Sequence, residues 1–422
     1  MSKIQPVRGT YDLLPDNMAR HIRVIDAARQ ASIAYGFQEM ATPIFEFAEV
    51  FSRPLGETSD IVTKENYSFA DRGGEMLTLR PENTAGVVRA MISGGLTQSL
   101  PLKYFYNGPM FRYERPQKGR MRQFHQVGVE CLGQADAFAD AEIIACGARF
   151  LKMLGVLELC SLNLNTLGDQ ESRLSYREDL VKYLRFFVGE LSADSQKRLE
   201  VNPLRILDSK DEGDQEILKD APLLQDYLNT TSRTHFEVLQ EALNSVNISW
   251  KFNPLLVRGL DYYCHTAFEF VTSELGTQGT VLGGGRYDGL SEMLGSKRIP
   301  GVGWAAGVER LVMFSDDIFA KGPKVAVISA DEASNGMSFQ LAEALRDRGI
   351  DVDLPTEGSM RKKIKKADQA GVHYVLILGS DEREKQTVQL RDLADGRQRE
   401  VPITNMEVTN LAEIITNDLS FC

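Results

Sequence analysis

Between Phe111 and Gln126 the chain reads FRYERPQKGRMRQFHQ, and Arg112, Arg115, Lys118, Arg120 and Arg122 make this stretch strongly cationic. They stand in a chain of 422 residues whose formal net charge is −11. A local cation run on an acidic protein points to an anionic ligand held at one place, not to a protein that coats nucleic acid. Pro116 and Gly119 fall where a reversal is needed, and the flanks KYFYNGPMFRY and RQFHQVGVECLG carry alternating bulky side chains. The pattern predicts a hairpin with a cationic, Gly/Pro-broken tip. The plain alternative is a solvated basic loop.

Two further clusters bear on that choice. One joins LVRGLDYY (256–263) with GGGRYDGL (283–290). An arginine, an acid and two tyrosines crowd together in the first segment. Three successive glycines in the second predict a tight turn and close backbone approach to a ligand. No GKS or GKT follows them, so this is not a Walker A loop. The other cluster, GVGWAAGVERLVM (301–313), reads as a strand entering a helix, with Arg310 in the first turn. Taken alone, Arg310 reads as a surface ion-pair partner of Glu309 or a neighbour. Together, Arg112, Arg120, Arg258 and Arg310 place guanidinium groups on separate elements. That suits a triphosphate, because guanidinium binds phosphate oxygens in bidentate fashion. No Gly-rich loop runs into a helix N-terminus, which excludes P-loop and Rossmann sites. Glu82, Glu114, Glu130 and Asp261 are candidates to meet an ammonium group, a ring nitrogen or Mg²⁺, or else are structural ion-pair partners.

These residues need a scaffold, and 422 residues leave room for two or three domains with real cores. Hydrophobic residues at 43% and charged residues at 25% are ordinary for a soluble globular protein. Cys131, Cys146, Cys160, Cys264 and Cys422 form no CxxC pair, so neither a zinc site nor a disulfide framework is indicated. Reduced thiols and a cytoplasmic location fit. The N-terminal segment has no apolar core, and no run approaches membrane-spanning length, so no export signal or membrane span is expected.

Helical spacing follows Pro15-Asp16 and ends at Gly36. An extended piece broken by Pro43 comes next, then short strands around Asp71–Gly74 and a helix over 82–93. DAEIIACGARFLKMLG reads as an amphipathic helix and LCSLNLNTLG as a strand. Composition shifts near Gln170, and 171–252 reads as a helical insertion rich in Glu, Lys, Asp and Gln. Lys321-Gly322-Pro323 marks a linker. Beyond it KVAVISA, a helix over 334–348 closed by Gly349, IDVDL, a helix over 359–370 and YVLILG alternate as β-α-β-α-β. That order predicts a small parallel or mixed sheet with flanking helices.

At this point the chain resembles the histidyl-tRNA synthetases of the bacterial type, which are class II aminoacyl-tRNA synthetases. FRYERPQKGRMRQF is similar to the class's second motif and GVGWAAGVERL to its third. The first helix with the Pro43 extension resembles the first motif, which builds a dimer interface. LVRGLDYY and GGGRYDGL resemble two stretches peculiar to the histidine enzyme. The similarity runs over essentially the whole chain. It implies an α/β (α+β) fold: an antiparallel sheet core flanked by helices, spanning 1–322 and interrupted by the 171–252 insertion. A C-terminal anticodon-binding α/β domain at 323–422 follows.

The implied reaction activates L-histidine with ATP to histidyl-adenylate and pyrophosphate, then transfers histidine to the 3′ end of tRNA(His). By the resemblance, Arg112 binds the α-phosphate and the substrate carboxylate, and Arg120 and Arg310 hold the β- and γ-phosphates. Phe124 and Arg310 sandwich the adenine. Arg258 meets the α-phosphate and the histidine from the other side. Mg²⁺ is expected on ATP as a substrate complex, with Glu114 in an indirect role. No resident metal and no tightly bound cofactor are expected. Glu82, Thr84 and Gln126 correspond to the residues that hold the α-amino group. Glu130 and Tyr263 correspond to those that clamp the imidazole nitrogens, with Tyr262 and Tyr287 nearby, while His125 is read as structural. Arg115, Gln117 and Lys118 lie where the tRNA acceptor end is met, and the insertion is expected to contact tRNA. The basic run RKKIKK (361–366) is either an anticodon-stem phosphate contact or a solvated helix face. A homodimer is implied. The alternative is the regulatory paralogue that serves as a subunit of ATP phosphoribosyltransferase. That paralogue lacks the C-terminal module and degrades LVRGLDYY. A more distant reading is an ATP-dependent ligase with no RNA partner.

Overall fold

The computed structural model describes residues 3–55, 65–116, 119–257, 262–275, 279–314, 324–403 and 408–417. The chain forms two compact units, Met1–Asp317 and Ile318–Cys422.

In the first unit Pro15 opens α1 (Pro15–Ala34), where its fixed φ and missing N–H suit a first helical turn. Gly36, at φ +79°, reverses the chain after it. Then come β1 (Gln38–Glu39), β2 (Phe45–Phe47), α2 (Glu49–Leu55), β3 (Tyr67–Ala70), β4 (Met76–Leu79), α3 (Thr84–Ser93), β5 (Leu102–Phe111), β6 (Gln123–Leu132), α4 (Ala137–Met153) and β7 (Ser161–Thr166). The helical stretch that follows contains α5 (Gln170–Phe186), α6 (Ala193–Val201), α7 (Glu212–Leu218) and α8 (Thr230–Ser245). The unit closes with β8 (Lys251–Phe252), β9 (Cys264–Val271), β10 (Thr280–Arg286), α9 (Leu290–Met293), β11 (Gly301–Gly307) and α10 (Val308–Val312). The main sheet has the order β1-β5-β6-β11-β10-β9-β7-β8, and β2-β4-β3 form a small second sheet. Inside the main sheet all pairs from β5 to β7 are antiparallel; the edge strands β1 and β8 pair parallel.

Two local expectations change. The extended reading around Pro43 holds for Gln38–Glu39 and Phe45–Phe47, but from Glu49 the chain is helical, and Arg53 pairs with Glu49 one turn back. The triple glycine is not a turn but the centre of β10. A Cβ on Gly284 would lie 2.1 Å from the Gly303 carbonyl oxygen, and one on Gly285 would lie 2.4 Å from that of Thr266. Glycine is required there by close approach between neighbouring strands.

The sheet's two faces do different work because side chains alternate along a strand. On β6, Val127, Val129 and Cys131 join a core with Phe105, Phe268, Phe270, Val302 and Trp304. Helices α1, α4 and α8 cover that face, and Trp304 stacks on Phe150 of α4 at 5.7 Å. The opposite residues of β6, namely Phe124, Gln126, Gly128 and Glu130, face the other way.

One ion pair ties the unit together. Arg286 and Asp140 are both fully buried, and the Arg286 Nε donates to the Asp140 carboxylate at 3.0 and 3.2 Å. Arg286 also donates to the carbonyls of Gln134 and Asp136 and to Asp288. Burial by itself pushes the Asp140 carboxyl upward, but the hydrogen bond from His235 and the charge of Arg286 outweigh it and hold the group below its ordinary value.

The second unit runs β12 (Lys324–Ser329), α11 (Asn335–Arg346), β13 (Asp351–Asp353), α12 (Met360–Gln369), β14 (Tyr374–Leu378), α13 (Ser380–Lys385), β15 (Thr387–Asp392), β16 (Gln398–Pro402) and α14 (Thr409–Asn417). Its sheet, β13-β12-β14-β15-β16, is mixed: β12 pairs parallel with β13 and β14, and β15 and β16 add antiparallel. The basic run lies on α12, but Lys363 turns inward, 7% exposed, with its Nζ 3.4 Å from the Ser329 carbonyl oxygen.

Replacing Asp140 with Asn leaves the buried Arg286 charge with only the Asp288 carboxylate, at 3.1 Å, to offset it. Asp140→Asn is expected to destabilise the first unit by about 3–5 kcal/mol, and a paired Asp140→Leu/Arg286→Met variant should recover much of that loss. Both tryptophans, Trp250 and Trp304, lie in this unit, so tryptophan fluorescence under urea reads it. An unchanged Asp140→Asn midpoint would refute the assignment.

Candidate active site

The cationic hairpin is β5 and β6, paired antiparallel from Leu102↔Leu132 to Phe111↔Gln123. Beyond the strands the Arg112 N–H donates to the Arg122 carbonyl at 2.9 Å, and Gly119, at φ +72°, takes the reversal. The hairpin base opens into a cleft of about 370 Å³ on the sheet face opposite the α1/α4 core. Arg112, Arg120 and Arg310 line it with Glu114, Phe124, Gln126 and Glu269. Small residues of β10 and β11, including Gly283, Ala305 and Gly307, form its floor.

Each cation is held by a neighbour. Arg112 Nε donates to the Pro81 carbonyl at 2.9 Å, and its guanidinium carbon lies 5.3 Å from the Phe124 ring centre. Arg120 Nε lies 2.7 Å from one oxygen of Glu114, while Arg112 Nη1 lies 3.9 Å from the other. Arg310 donates to the Thr280 carbonyl at 2.5 Å. Burial, then the charges of Arg120 and Arg112, lower the Arg310 pKa, and Glu114 opposes them. Like charges crowded this way favour an anionic ligand with several oxygens.

Along the same face of β6, Glu130 sits 1% exposed. Thr84 Oγ1 donates to Glu130 Oε1 at 2.7 Å, Tyr106 donates to the same oxygen at 3.3 Å, and the Tyr287 hydroxyl donates to Oε2. Burial raises the Glu130 pKa to about 8 in spite of these hydroxyl contacts. Gly303 makes room for the carboxylate, since a Cβ there would come within 1.9 Å of Oε2. Tyr262 and Tyr263 pack 4.7 Å apart, and Tyr287 meets them edge-on at 5.9 and 6.3 Å. Burial keeps the Tyr262 and Tyr287 phenols protonated.

Glu82 closes this pocket at the start of α3, accepting from the backbone N–H of Thr84 at 2.5 Å and of Ala85 at 3.0 Å. Burial raises its pKa, backbone hydrogen bonds oppose that, and the Arg112 charge lowers it further, so the two clusters are electrostatically in touch. Gln126 stands between them on β6, and its Oε1 is buried without a hydrogen-bond partner among the described residues.

The structure therefore brings Arg112, Glu114, Arg120, Phe124, Gln126 and Arg310 into one cleft. Glu82, Thr84, Glu130, Tyr262, Tyr263 and Tyr287 form an adjoining buried cluster, hereafter the pocket. Arg115 is exposed and belongs to neither. Gln117, Lys118, Arg258 and Asp261 lie outside the described residues. The Arg112 guanidinium is a neighbour of the Phe124 ring. Glu309 meets His125: both its oxygens accept the His125 backbone N–H at 2.9 Å, and one meets His125 Nδ1 at 2.9 Å. Sequence reasoning missed Tyr106 as a donor to Glu130. The alternation KYFYNG puts Tyr104 and Tyr106 on one strand face, but not which partner they meet.

A family model described as histidyl-tRNA synthetase matches residues 9–311, and one described as anticodon binding domain matches 324–413. The histidine–tRNA ligase of Rhodospirillum rubrum is 53% identical over 409 residues, covering 96% of this chain and 98% of the relative. That of Gluconobacter oxydans is 50% identical over 406 residues, with 96% and 98% covered. The apo histidyl-tRNA synthetase of S. aureus superposes with a TM-score of 0.81 at 31% identity, covering 98% of this chain and 100% of the other. The arginine cleft and the carboxylate–tyrosine pocket thus sit on a chain that belongs to the histidyl-tRNA synthetase family.

Proposed function

We propose that the cleft and the pocket are the ATP and histidine halves of one site in a histidine–tRNA ligase. The protein activates L-histidine with ATP, releasing pyrophosphate, and transfers the histidyl group from the adenylate to the 3′ end of tRNA(His). The observation that carries the division of labour is β6, whose one face presents Phe124, Gln126 and Glu130 in turn. A strand advances about 3.3 Å per residue, so six residues span roughly 20 Å, enough to seat a nucleotide beside an amino acid.

In the first step the histidine carboxylate oxygen attacks the α-phosphorus and the bond to the pyrophosphate oxygen breaks. Such a reaction needs positioning and charge stabilisation more than covalent help. Arg112 is placed for the α-phosphate and Arg120 and Arg310 for the outer phosphates, with the adenine against Phe124. ATP would arrive with Mg²⁺, and the carboxylates of Glu114 and Glu269 in the cleft are the hard oxygen donors that such an ion accepts. Glu82, Thr84 and Gln126 are assigned to the α-amino group. Glu130 and Tyr263 are assigned to the imidazole nitrogens, with Tyr262 and Tyr287 closing the pocket. An analogue without both ring nitrogens would leave buried partners unpaired, which sites of this kind reject by about 10⁴–10⁵.

The regulatory-subunit reading has less support, because the named relatives are ligases over nearly the whole chain and the C-terminal match is to an anticodon-binding domain. We place the catalytic domain at 1–322 with the insertion at 171–252 against tRNA, of which the last elements, α8 and β8, pack on and into the main sheet, and the anticodon-binding domain at 323–422. Arg115, Gln117 and Lys118 are assigned to the acceptor end. No described helix is long and apolar enough to cross a membrane, and a cytoplasmic location, checked by cell fractionation, accords with the free thiols of Cys131, Cys146, Cys160 and Cys264.

Histidine-dependent exchange of pyrophosphate into ATP, followed by charging of tRNA, tests the function directly. Glu130→Gln keeps the shape of the pocket and removes the carboxyl group that could ionise against an imidazolium. It is expected to raise KM for histidine about 10- to 100-fold with KM for ATP nearly unchanged. An unaltered histidine KM refutes the imidazole assignment.

Arg258 is assigned to the α-phosphate opposite Arg112. Arg258→Ala should lower the adenylation rate by about two orders of magnitude with a small change in ATP affinity, as for an interaction that strengthens in the transition state. Lysine should restore part of the rate, since it keeps the charge but not the fork. Lower thermal stability with normal turnover per folded molecule would instead make Arg258 structural.

The elements around Pro43 are assigned to an isologous homodimer contact. A chain ending at Gly322 should remain dimeric by light scattering and keep adenylate formation while charging tRNA poorly. A monomer refutes the dimer, and a truncated dimer that charges tRNA as well as the full chain refutes the anticodon assignment.

A further inference from the structure

The segment that carries Tyr262 and Tyr263 is held from outside by residues that the reaction scheme leaves unused. Arg173 lies in the first turn of α5, and its Nη1 donates to the Tyr263 carbonyl oxygen at 2.5 Å. A cavity of about 110 Å³ lies beside this contact, lined by Arg173, Tyr176, Arg205 and Tyr263 among others. Arg173 and Tyr263 thus both border this space, and the bond between them is charge-assisted.

Two residues further on, His265 takes φ +46°, a left-handed conformation uncommon for a residue with a Cβ. It persists because its surroundings hold it. The His265 N–H donates to the Gly168 carbonyl at 2.8 Å, and its own carbonyl accepts from the Leu167 N–H at 2.5 Å, both at the entry to α5. Its ring stacks on that of His235, with centres 4.9 Å apart and planes 28° from parallel. The His265 Nδ1 is buried without a hydrogen-bond partner among the described residues, so the stack rather than a polar bond sets that edge of the ring. His235, on α8, is fixed in turn by Asp140, whose Oδ2 lies 2.8 Å from its Nε2. Asp140 also accepts from Thr266 and from Arg286, the residue before Tyr287. Thus α5 holds the chain at Tyr263, just before β9, while α8 meets His265 directly and Thr266 and Arg286 through Asp140; neither Arg173 nor His235 lines the arginine cleft.

We propose that Arg173 and His235 of the helical stretch are positioning residues for the histidine pocket. They fix the Tyr263 backbone and the left-handed turn at His265, so the seating of α5 and α8 on the core is read as affinity for histidine. This rests on the reading of Glu130 and the tyrosines as that pocket.

The test uses the full chain in histidine-dependent pyrophosphate exchange, with melting temperature measured on the same samples. Arg173→Ala and His235→Ala are each expected to raise KM for histidine about 5- to 10-fold, with KM for ATP and kcat within about twofold. Arg173→Lys and His235→Gln, which keep a donor, should recover most of the loss. An unchanged histidine KM in both alanine variants overturns the proposal. So does a joint rise of both KM values that follows a fall in melting temperature, because that marks a purely structural role. If an alanine variant does not fold, Arg173→Met and His235→Phe, which fill the space without a donor, are judged by the same criterion. Glu130→Gln and Tyr263→Phe are run beside them. If those leave the histidine KM unchanged, the pocket reading itself fails; if they raise it while the Arg173 and His235 variants do not, only the positioning role fails.

Discussion

A carboxylate can enter a protein interior only where polar partners replace the water it loses. Glu130 is that carboxylate here, and much of the site is arranged around it. The pairing of β6 with β5 brings Tyr106 to it, α3 brings Thr84, and the end of β10 brings Tyr287. The facing strand β11 must carry glycine at 303, because any side chain there would occupy the place of Oε2. Even so, burial prevails, and the group stays protonated up to about pH 8. A pocket in that condition favours a ligand that brings N–H donors or positive charge, as an imidazole does.

The neighbouring cleft presents the opposite problem. Arg112, Arg120 and Arg310 stand close enough to affect one another, and Glu114 offsets part of that repulsion through Arg120 and Arg112. Backbone carbonyls of Pro81 and Thr280 aim two of the guanidinium groups in advance. Cations held ready in this way need little reorganisation when charge develops on a phosphate. Placing cleft and pocket on one strand face lets a rigid ladder, rather than a loop, set the spacing between nucleotide and amino acid. The other face of the same strand, Val127, Val129 and Cys131, anchors it in the core.

The helices α5 to α8 use polar ties to the sheet beside the pocket. Asp169 caps α5 and is joined to Asn229 and Ser232 at the start of α8, so the entry and the last helix of the stretch meet at one point. That point adjoins His265 and the tyrosine segment. The Asp140–Arg286 pair beneath supplies the fixed ground against which these ties act, because a fully buried ion pair cannot shift without exposing an uncompensated charge.

The sequence by itself determined the chemistry-bearing stretches and the fold class. Those stretches are local: a cationic reversal between alternating strands, glycines beside an arginine and a tyrosine, and a strand running into a helix can all be read from consecutive residues. The first five elements of the second unit were equally legible, because clear turn residues separate them, but α13, β15, β16 and α14 were not read. Only the tertiary structure decided which partners meet. Tyr106 reaches Glu130 through strand register, Glu309 reaches His125 across 184 residues, and Arg286 reaches Asp140 across 146. The three glycines show the same limit. Their lack of a Cβ permits a turn or a close strand approach equally well, and only the strands beside them, 2.1 Å and 2.4 Å from where a Cβ would stand, make the choice. Local preference is a property of a few adjacent residues, whereas pairing and steric exclusion belong to segments that the fold alone brings together.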